Sequence, residues 1–140
     1  MVGKTKRPTS AEKKRMSLIG EQYFGCLPCR LEKSNYAPVL ATVQHVVEGG
    51  KRLGHNYTYG LCCWHHFGHD PMRMGPSLAL NKHTYVRRYG SERMLVELQD
   101  WLIAEHKVIQ WFEYDMPQSV VRQLRLEWVR LGSEDQFFEV

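Results

Sequence analysis

The chain has 140 residues, of which 43% are hydrophobic, and this is enough for one domain with a real core and a modest extension. No apolar run is long enough to span a membrane, and no apolar segment follows the basic N-terminus as it would in a secretory signal. We therefore expect a cytoplasmic protein, in which four cysteines indicate metal binding rather than disulfides.

The net charge of +4 is unevenly distributed. Residues 1–15 carry six basic side chains and one acid, whereas residues 113–140 carry six acids and three arginines. A basic front part favours a polyanionic partner such as DNA or RNA. A solvated charged surface would explain the same pattern, so charge alone does not choose between the two.

The N-terminal half is predicted to contain one helix and a strand-rich region. Residues 1–8 lack hydrophobic periodicity and are expected to form a flexible basic arm. Thr9 offers an N-cap for a helix that runs to about Glu21. Residues 30–38 are polar and predict a loop. Residues 39–47 are rich in β-branched side chains and predict a strand.

A glycine turn, Glu48-Gly49-Gly50, is expected to end that strand, and residues 51–59 could hold a second short strand or an extended loop. Farther on, residues 81–89 and 91–106 predict two helices, the second capped by Ser91. A final helix is predicted over residues 117–131.

The chain is therefore expected to comprise the arm (1–8), a folded domain (9–108) and a C-terminal helical extension (109–140). The extension carries many aromatic side chains, which either complete a small core or dock a partner. These residues are Trp111, Phe112, Tyr114, Trp128, Phe137 and Phe138.

Two Cys/His pairs predict a structural zinc site. Cys26 and Cys29 are separated by two residues, as are Cys62 and His65, and such spacing places both ligands of a pair on one turn. About thirty residues between the pairs match a treble-clef style of site. Cys63 could replace Cys62 as a ligand, but Cys62 has the better spacing, and Cys63 is interpreted as a small core residue.

Two further histidines differ from the rest. His66 directly follows a zinc ligand, which would fix its position, and His45 ends the strand-like run just before the glycine turn. A lone histidine is more often a packed or surface residue than a ligand. These two are candidates for chemistry, and we expect His66 to face His45 across the hairpin.

The order of Cys-x-x-Cys, a strand with His45, a Gly-Gly turn and Leu61-Cys62-x-x-His65-His66 resembles the HNH, or ββα-metal, endonucleases. The resemblance implies an α+β fold, with a small zinc-stabilised treble-clef-like core, a short β-hairpin and several surrounding helices. It also implies that His45 is the general base and that His66 binds the catalytic Mg²⁺ or Mn²⁺. The middle, asparagine-like position falls around His55-Asn56.

One branch of these enzymes is more similar still: the phage-encoded Ref-type nucleases, which cut DNA covered by a RecA filament. The resemblance covers about residues 9–98. The shared motifs are Thr9-Ser10-Ala11-Glu12, Met16, Gly25-Cys26 with Cys29, Arg52-x-Gly54-His55, Leu61-Cys62-x-x-His65-His66 and Tyr89-Gly90-Ser91-Glu92. The implied partners are DNA and a recombinase filament, in the cytoplasm of a bacterial host.

Two positions depart from the family pattern. Gln44 stands where an Asp or His usually binds the metal, and Ala79 stands where related chains carry a histidine. Either His55 or His69 would then have to supply the missing ligand. If neither does, the chain is a zinc-stabilised DNA-binding or adaptor protein with an inactive site, which is the alternative function.

The expected chemistry is phosphodiester hydrolysis. A divalent cation would stabilise the developing charge on the phosphate, and His45, with an ordinary pKa of about 6.5, suits proton abstraction near neutral pH. Basic side chains would bind the DNA backbone without reading its sequence. The candidates are Lys4, Lys6, Arg7, Lys51 and Arg52.

Overall fold

The computed structural model describes residues 7–20, 24–32, 41–68, 75–106 and 118–132. Within these ranges the chain forms helices and short strands. In chain order they are α1 (Ser10–Gly20), α2 (Leu27–Leu31), β1 (Thr42–His45), β2 (Val47–Glu48), β3 (Lys51–Arg52), β4 (Thr58–Leu61), α3 (Cys63–Phe67), α4 (Lys82–Tyr89), α5 (Glu92–His106) and α6 (Gln118–Leu131).

A reciprocal pair of hydrogen bonds starts α1. The backbone N–H of Glu12 donates to Thr9 Oγ1 at 3.2 Å, and the backbone N–H of Thr9 donates to Glu12 Oε1 at 2.8 Å. This capping box satisfies two amide groups that the first helical turn leaves without partners. The predicted helix is confirmed to Gly20, and Glu21 lies outside the described residues.

The strands form two antiparallel pairs, β1 with β4 and β2 with β3. Gly49 and Gly50 connect β2 to β3 with φ angles of 59° and 77°, which a tight two-residue turn requires and which glycine adopts without strain. Glu48 pairs with Lys51, so the turn starts one residue later than predicted.

The predicted strand is also interrupted at Val46. Its backbone N–H donates to the carbonyl of Tyr57, and its carbonyl accepts from Leu53, so Val46 joins the two pairs without belonging to either. Residues 39 and 40 lie outside the described residues. The second short strand expected within residues 51–59 corresponds to the two pieces β3 and β4.

The predicted loop over residues 30–38 is wrong at its start, because Arg30 and Leu31 belong to α2 and are buried. The Arg30 guanidinium donates to the carbonyl of Phe24 at 3.1 Å, which allows a charged side chain to lie inside. The later helices are confirmed. Ser91 Oγ accepts from the Met94 amide at 3.1 Å and caps α5 as expected.

The core lies between the β1–β4 pair and the helices. Buried side chains of α5 and α6 pack together, and α6 also contacts α2. The fully enclosed residues include Leu95, Leu98, Leu102 and Leu124. The predicted α+β class is thus confirmed as a mixed structure with small two-stranded sheets. None of the described helices has the length and apolar character needed to cross a membrane.

Candidate metal centre and histidine sites

Cys26, Cys29, Cys62 and His65 form a buried cluster in which the candidate ligand atoms all lie within 4.8 Å of one another. The Cys29 and Cys62 sulfurs are 3.7 Å apart, and His65 Nδ1 lies 3.3–3.4 Å from the three sulfurs. A tetrahedral zinc ion with ordinary bond lengths requires about 3.8 Å between two sulfurs and about 3.5 Å between sulfur and nitrogen. The four side chains therefore fit zinc.

Short helices and a close backbone contact bring the two pairs together. Cys26 precedes α2 and Cys62 precedes α3, and the Cys62 sulfur accepts from the His65 amide at 3.5 Å. Gly60 of β4 lies against Gly25, the residue before Cys26. A Cβ added at Gly60 would be 2.3 Å from the Gly25 carbonyl oxygen. Only glycine allows the first pair to approach the strand this closely.

The charge of the cluster also indicates a cation. Burial raises the pKa of the Cys26 thiol, and the neighbouring sulfurs of Cys29 and Cys62 add to that rise. Hydrogen bonds from Cys26 and Cys29 lower the pKa of Cys62. The cluster thus stabilises one thiolate. Ionisation of the other thiols requires a positive charge between the sulfurs.

A chain of hydrogen bonds holds the His65 ring from behind. Tyr89 donates its O–H to Glu32 Oε1 at 2.7 Å, so its oxygen must accept from His65 Nε2–H, 3.1 Å away. His65 Nδ1 then carries a lone pair that points into the cluster. Arg88 holds Glu32 through two bonds of 2.7 Å. Burial opposes ionisation of Glu32, but Arg88 and Tyr89 outweigh it and lower the pKa of this carboxyl.

Cys63 does not lie in the core, and the interpretation of this residue as a small core side chain is wrong. Its thiol is exposed at the first position of α3, whereas Cys62 and His65 are buried. Three residues make almost one full turn of a helix. Cys62 and His65 can therefore point to one side while Cys63 points away from it.

His66 lies beside β1 and contacts Thr42. Thr42 Oγ1 donates to the Leu61 carbonyl at 3.1 Å, so it must accept from His66 Nδ1–H, also 3.1 Å away. The other ring nitrogen of His66, Nε2, therefore has the lone pair. Burial lowers the pKa of His66, while the charges of Glu92 and Cys62 act in the opposite direction. A neutral ring with a bare Nε2 is a competent metal ligand.

His45 forms a pair with His55. His45 Nε2 lies 3.0 Å from His55 Nδ1, and the two rings meet edge to face. Burial lowers the pKa of His45, and the charges of Arg52 and His55 lower it further. His45 is therefore neutral near pH 7, and a neutral imidazole can accept a proton.

The two candidate histidines have different side-chain partners, Thr42 for His66 and His55 for His45. Thr42, the partner of His66, and Gln44 project from one face of β1, whereas Val43 and His45 project from the other because side chains alternate along a strand. His55 accompanies His45. His69, the other candidate for the missing ligand, lies outside the described residues.

Glu92 lies beside Gln44, although no role was predicted for it. Its Oε1 accepts from Gln44 Nε2 at 3.1 Å and from the Tyr59 hydroxyl at 2.9 Å. Tyr59 in turn lies 2.8 Å from the Tyr85 hydroxyl. The signal was available, because Glu92 ends the Tyr89-Gly90-Ser91-Glu92 motif, but nothing in the sequence showed that this helix start meets Gln44.

The candidate DNA-binding residues are only partly described. Lys51 and Arg52 are exposed on β3, and Arg52 is near enough to His45 to affect its pKa. Arg7 is exposed before α1, and Lys4 and Lys6 lie outside the described residues. Ala79, where a histidine was expected from the resemblance, is exposed, and its amide donates to the His66 carbonyl at 3.2 Å.

Comparison with known proteins gives one family. No curated protein and no solved structure matches the chain. Residues 8–104 match the family described as "Recombination enhancement, RecA-dependent nuclease". The matched segment includes α1, both Cys/His pairs, His45, His66 and nearly all of α5. Since it covers more than half of the chain, the protein belongs to this family of RecA-dependent nucleases.

Proposed function

We propose that the protein is a metal-dependent DNA endonuclease of the HNH type that hydrolyses phosphodiester bonds during recombination, on DNA coated by a RecA-type filament. The observation that carries this proposal is the family match over residues 8–104, which contains both the buried Cys/His cluster and the adjacent His66. The hairpin followed directly by α3 is the arrangement that the ββα-metal enzymes use.

Zinc bound by Cys26, Cys29, Cys62 and His65 would have a structural role. All four positions are taken by protein side chains, as in closed structural sites, so no position is left for substrate. Such an ion would tie α2 to α3 and thereby fix the start of the helix that carries His66.

His45 is proposed as the general base. In the tautomer in which His45 Nε2–H donates to His55 Nδ1, the other nitrogen of His45 has a lone pair for a proton from water. The water oxygen attacks phosphorus, and the bond from phosphorus to the leaving 3′ oxygen breaks. His55 orients the base through this bond, which is the function of the middle position in the motif.

His66 is proposed as a ligand of the catalytic cation through its Nε2. Bound Mg²⁺ or Mn²⁺ supplies a Lewis acid that stabilises negative charge on the phosphate and on the leaving oxygen. Because His45 projects from one face of β1 and His66 contacts Thr42 on the other, the scissile phosphate would have to lie at the edge of this strand, where both faces can be reached. Within the described residues β1 pairs only with β4, which leaves its other edge open.

Basic side chains next to the hairpin are proposed to hold the DNA backbone. Lys51 and Arg52 are exposed near His45, and Arg7 is exposed at the start of the described chain. Lys4 and Lys6 would extend this contact within an N-terminal arm, residues 1–8. The nuclease domain would comprise residues 9–108, and residues 109–140 the C-terminal extension.

Substitution of His45 tests this assignment. We expect His45→Ala to reduce Mg²⁺- or Mn²⁺-dependent cleavage by about 10²- to 10⁴-fold, the contribution of a positioned general base. Cleavage of single- and double-stranded DNA would be measured with and without RecA filaments. His83→Ala is a suitable control, because His83 is exposed on α4 and has no proposed role.

Full cleavage by the His45→Ala protein would exclude His45 as the base. A wild-type protein that binds DNA but never cleaves it, with either ion and with or without RecA, would instead favour the alternative of a zinc-stabilised DNA-binding protein.

A further inference from the structure

The carboxylate of Glu92 is held by neutral donors. Gln44 Nε2 and the Tyr59 hydroxyl both donate to Oε1. Since Tyr59 uses its only proton on Glu92, its oxygen must accept from Tyr85, so two buried hydroxyls point in series toward this carboxylate. Burial raises the pKa of both tyrosines, which therefore remain donors.

The negative charge of Glu92 is not balanced by an ion pair among the described residues. The neighbouring Arg93 is directed away, and both of its bonds go to Glu48 on β2. Within the described residues, Glu92 Oε1 accepts both hydrogen bonds to this side chain. The lone pairs of Oε2 are therefore available to a ligand. A carboxylate oxygen with available lone pairs is the kind of ligand that divalent cations such as Mg²⁺ prefer.

His66 lies on the same side of β1. Thr42, which holds the His66 ring, and Gln44, which holds the Glu92 carboxylate, are two residues apart and project from the same face of the strand. Thr42 and Gln44 thus hold the His66 ring and the Glu92 carboxylate along one face of β1.

We infer that Glu92 is the anionic ligand of the catalytic divalent cation and binds it together with His66 Nε2. Mg²⁺ and Mn²⁺ prefer carboxylate oxygen and keep several waters, so one carboxylate and one imidazole are a sufficient protein contribution. This inference rests on the proposed nuclease function and identifies the ligand that Gln44 cannot provide. Gln44 instead positions the carboxylate by donating to Oε1, which leaves Oε2 for the cation.

The test is binding of Mn²⁺ to the zinc-loaded, full-length protein, followed by electron paramagnetic resonance of the free ion. We expect Glu92→Gln to weaken Mn²⁺ binding by about tenfold or more, as loss of a ligand should cost at least as much as loss of an outer-shell partner. The Gln side chain can still accept from Tyr59, which favours an intact fold. Glu97→Gln is the matched control, because Glu97 is exposed on the same helix.

His66→Gln should weaken Mn²⁺ binding as well, whereas the zinc content of all these variants should remain that of wild type. Equal Mn²⁺ affinity in the wild-type, Glu92→Gln and Glu97→Gln proteins would overturn the role of Glu92. If His45→Ala still abolished cleavage in that case, the proposed nuclease function would stand without it. A wild-type protein with no Mn²⁺ site would overturn the role of Glu92 directly.

Discussion

Two adjacent histidines in α3 carry their protons on different ring nitrogens. His65 is protonated on Nε2 because Tyr89 can only accept there, and His66 is protonated on Nδ1 because Thr42 can only accept there. The outer partners therefore determine which nitrogen is available to a metal. His65 turns Nδ1 to the thiols, while the bare Nε2 of His66 is available to the proposed catalytic cation.

The charge of Arg52 gives a prediction for the pH dependence of cleavage. His45 must be neutral to accept a proton, so the rate should fall as the pH drops through its pKa. Burial lowers this pKa, and Arg52 lowers it further. Removing the charge in Arg52→Gln should raise the pKa of His45 and move the acid limb of the kcat profile to higher pH.

Lys51→Gln is the control for this measurement, which requires saturating DNA. It removes the same charge from the adjacent position of β3, but Lys51 is not among the groups that shift the pKa of His45. Its acid limb should coincide with that of wild type even if its KM rises. Coincident limbs for wild type and Arg52→Gln would show that another group titrates.

The zinc ligands could be predicted at the residue level, but the surroundings of the histidines could not. Spacing alone identifies Cys26, Cys29, Cys62 and His65, because ligands of one pair must share a turn. The contact between Gln44 and Glu92 joins residues 48 positions apart, and no local pattern encodes it. Cys63 is exposed because it takes the first position of α3, where its side chain points away from the buried Cys62 and His65.

Among the secondary-structure elements, the long helices could be predicted from the sequence, whereas the hairpin could be predicted only in part. The apolar positions of α5 and α6 repeat with helical period and are buried as expected. β2 and β3 have two residues each, too few for an alternating pattern to be recognised. Side chains alternate along β1, so Gln44 and His45 project from opposite faces, a relation that the order of motifs does not encode.

Helix α6 lies beyond the family match, which ends at residue 104, yet it is attached to the metal centre. Trp128 is 2% exposed, and its Nε1–H donates at 2.9 Å to the carbonyl of Tyr89, the residue that holds His65. Arg125 also donates to the Glu32 carbonyl. We therefore propose that the helix acts as part of the domain, rather than as a separate docking element.

Truncation of Trp128 tests this role of α6. We expect Trp128→Ala to lower the free energy of unfolding of the zinc-loaded protein by about 3–5 kcal/mol, since it leaves a large cavity and an unpaired carbonyl. Leu126→Ala, on the same helix but 50% exposed, should change it by less than about 0.5 kcal/mol. Urea unfolding followed by circular dichroism gives both values, and similar values would show that α6 does not stabilise the domain.

For the molecule as a whole, the metal centre and the hydrophobic core are one structure. The sulfurs of Cys26, Cys29 and Cys62 belong to the same buried cluster as Tyr89, Leu98 and Trp128. Zinc binding to a site of this kind is worth about 10–16 kcal/mol. That is comparable with the whole stability of an ordinary domain, about 5–15 kcal/mol. Loss of the metal should therefore unfold the chain, rather than only loosen the region around α3.

Cysteine substitutions separate this global effect from ordinary thiol chemistry. We expect Cys29→Ser to reduce zinc content and to abolish the cooperative thermal transition, because a buried ligand is lost. Cys63→Ser should keep one zinc per chain and the wild-type transition, since its thiol is exposed and points away from the cluster. Zinc would be measured by mass spectrometry, and folding by far-ultraviolet circular dichroism before and after addition of a chelator. A chelated wild-type protein that still melted cooperatively at its original temperature would show that the apolar core suffices alone. The metal would then act locally, on the position of His66.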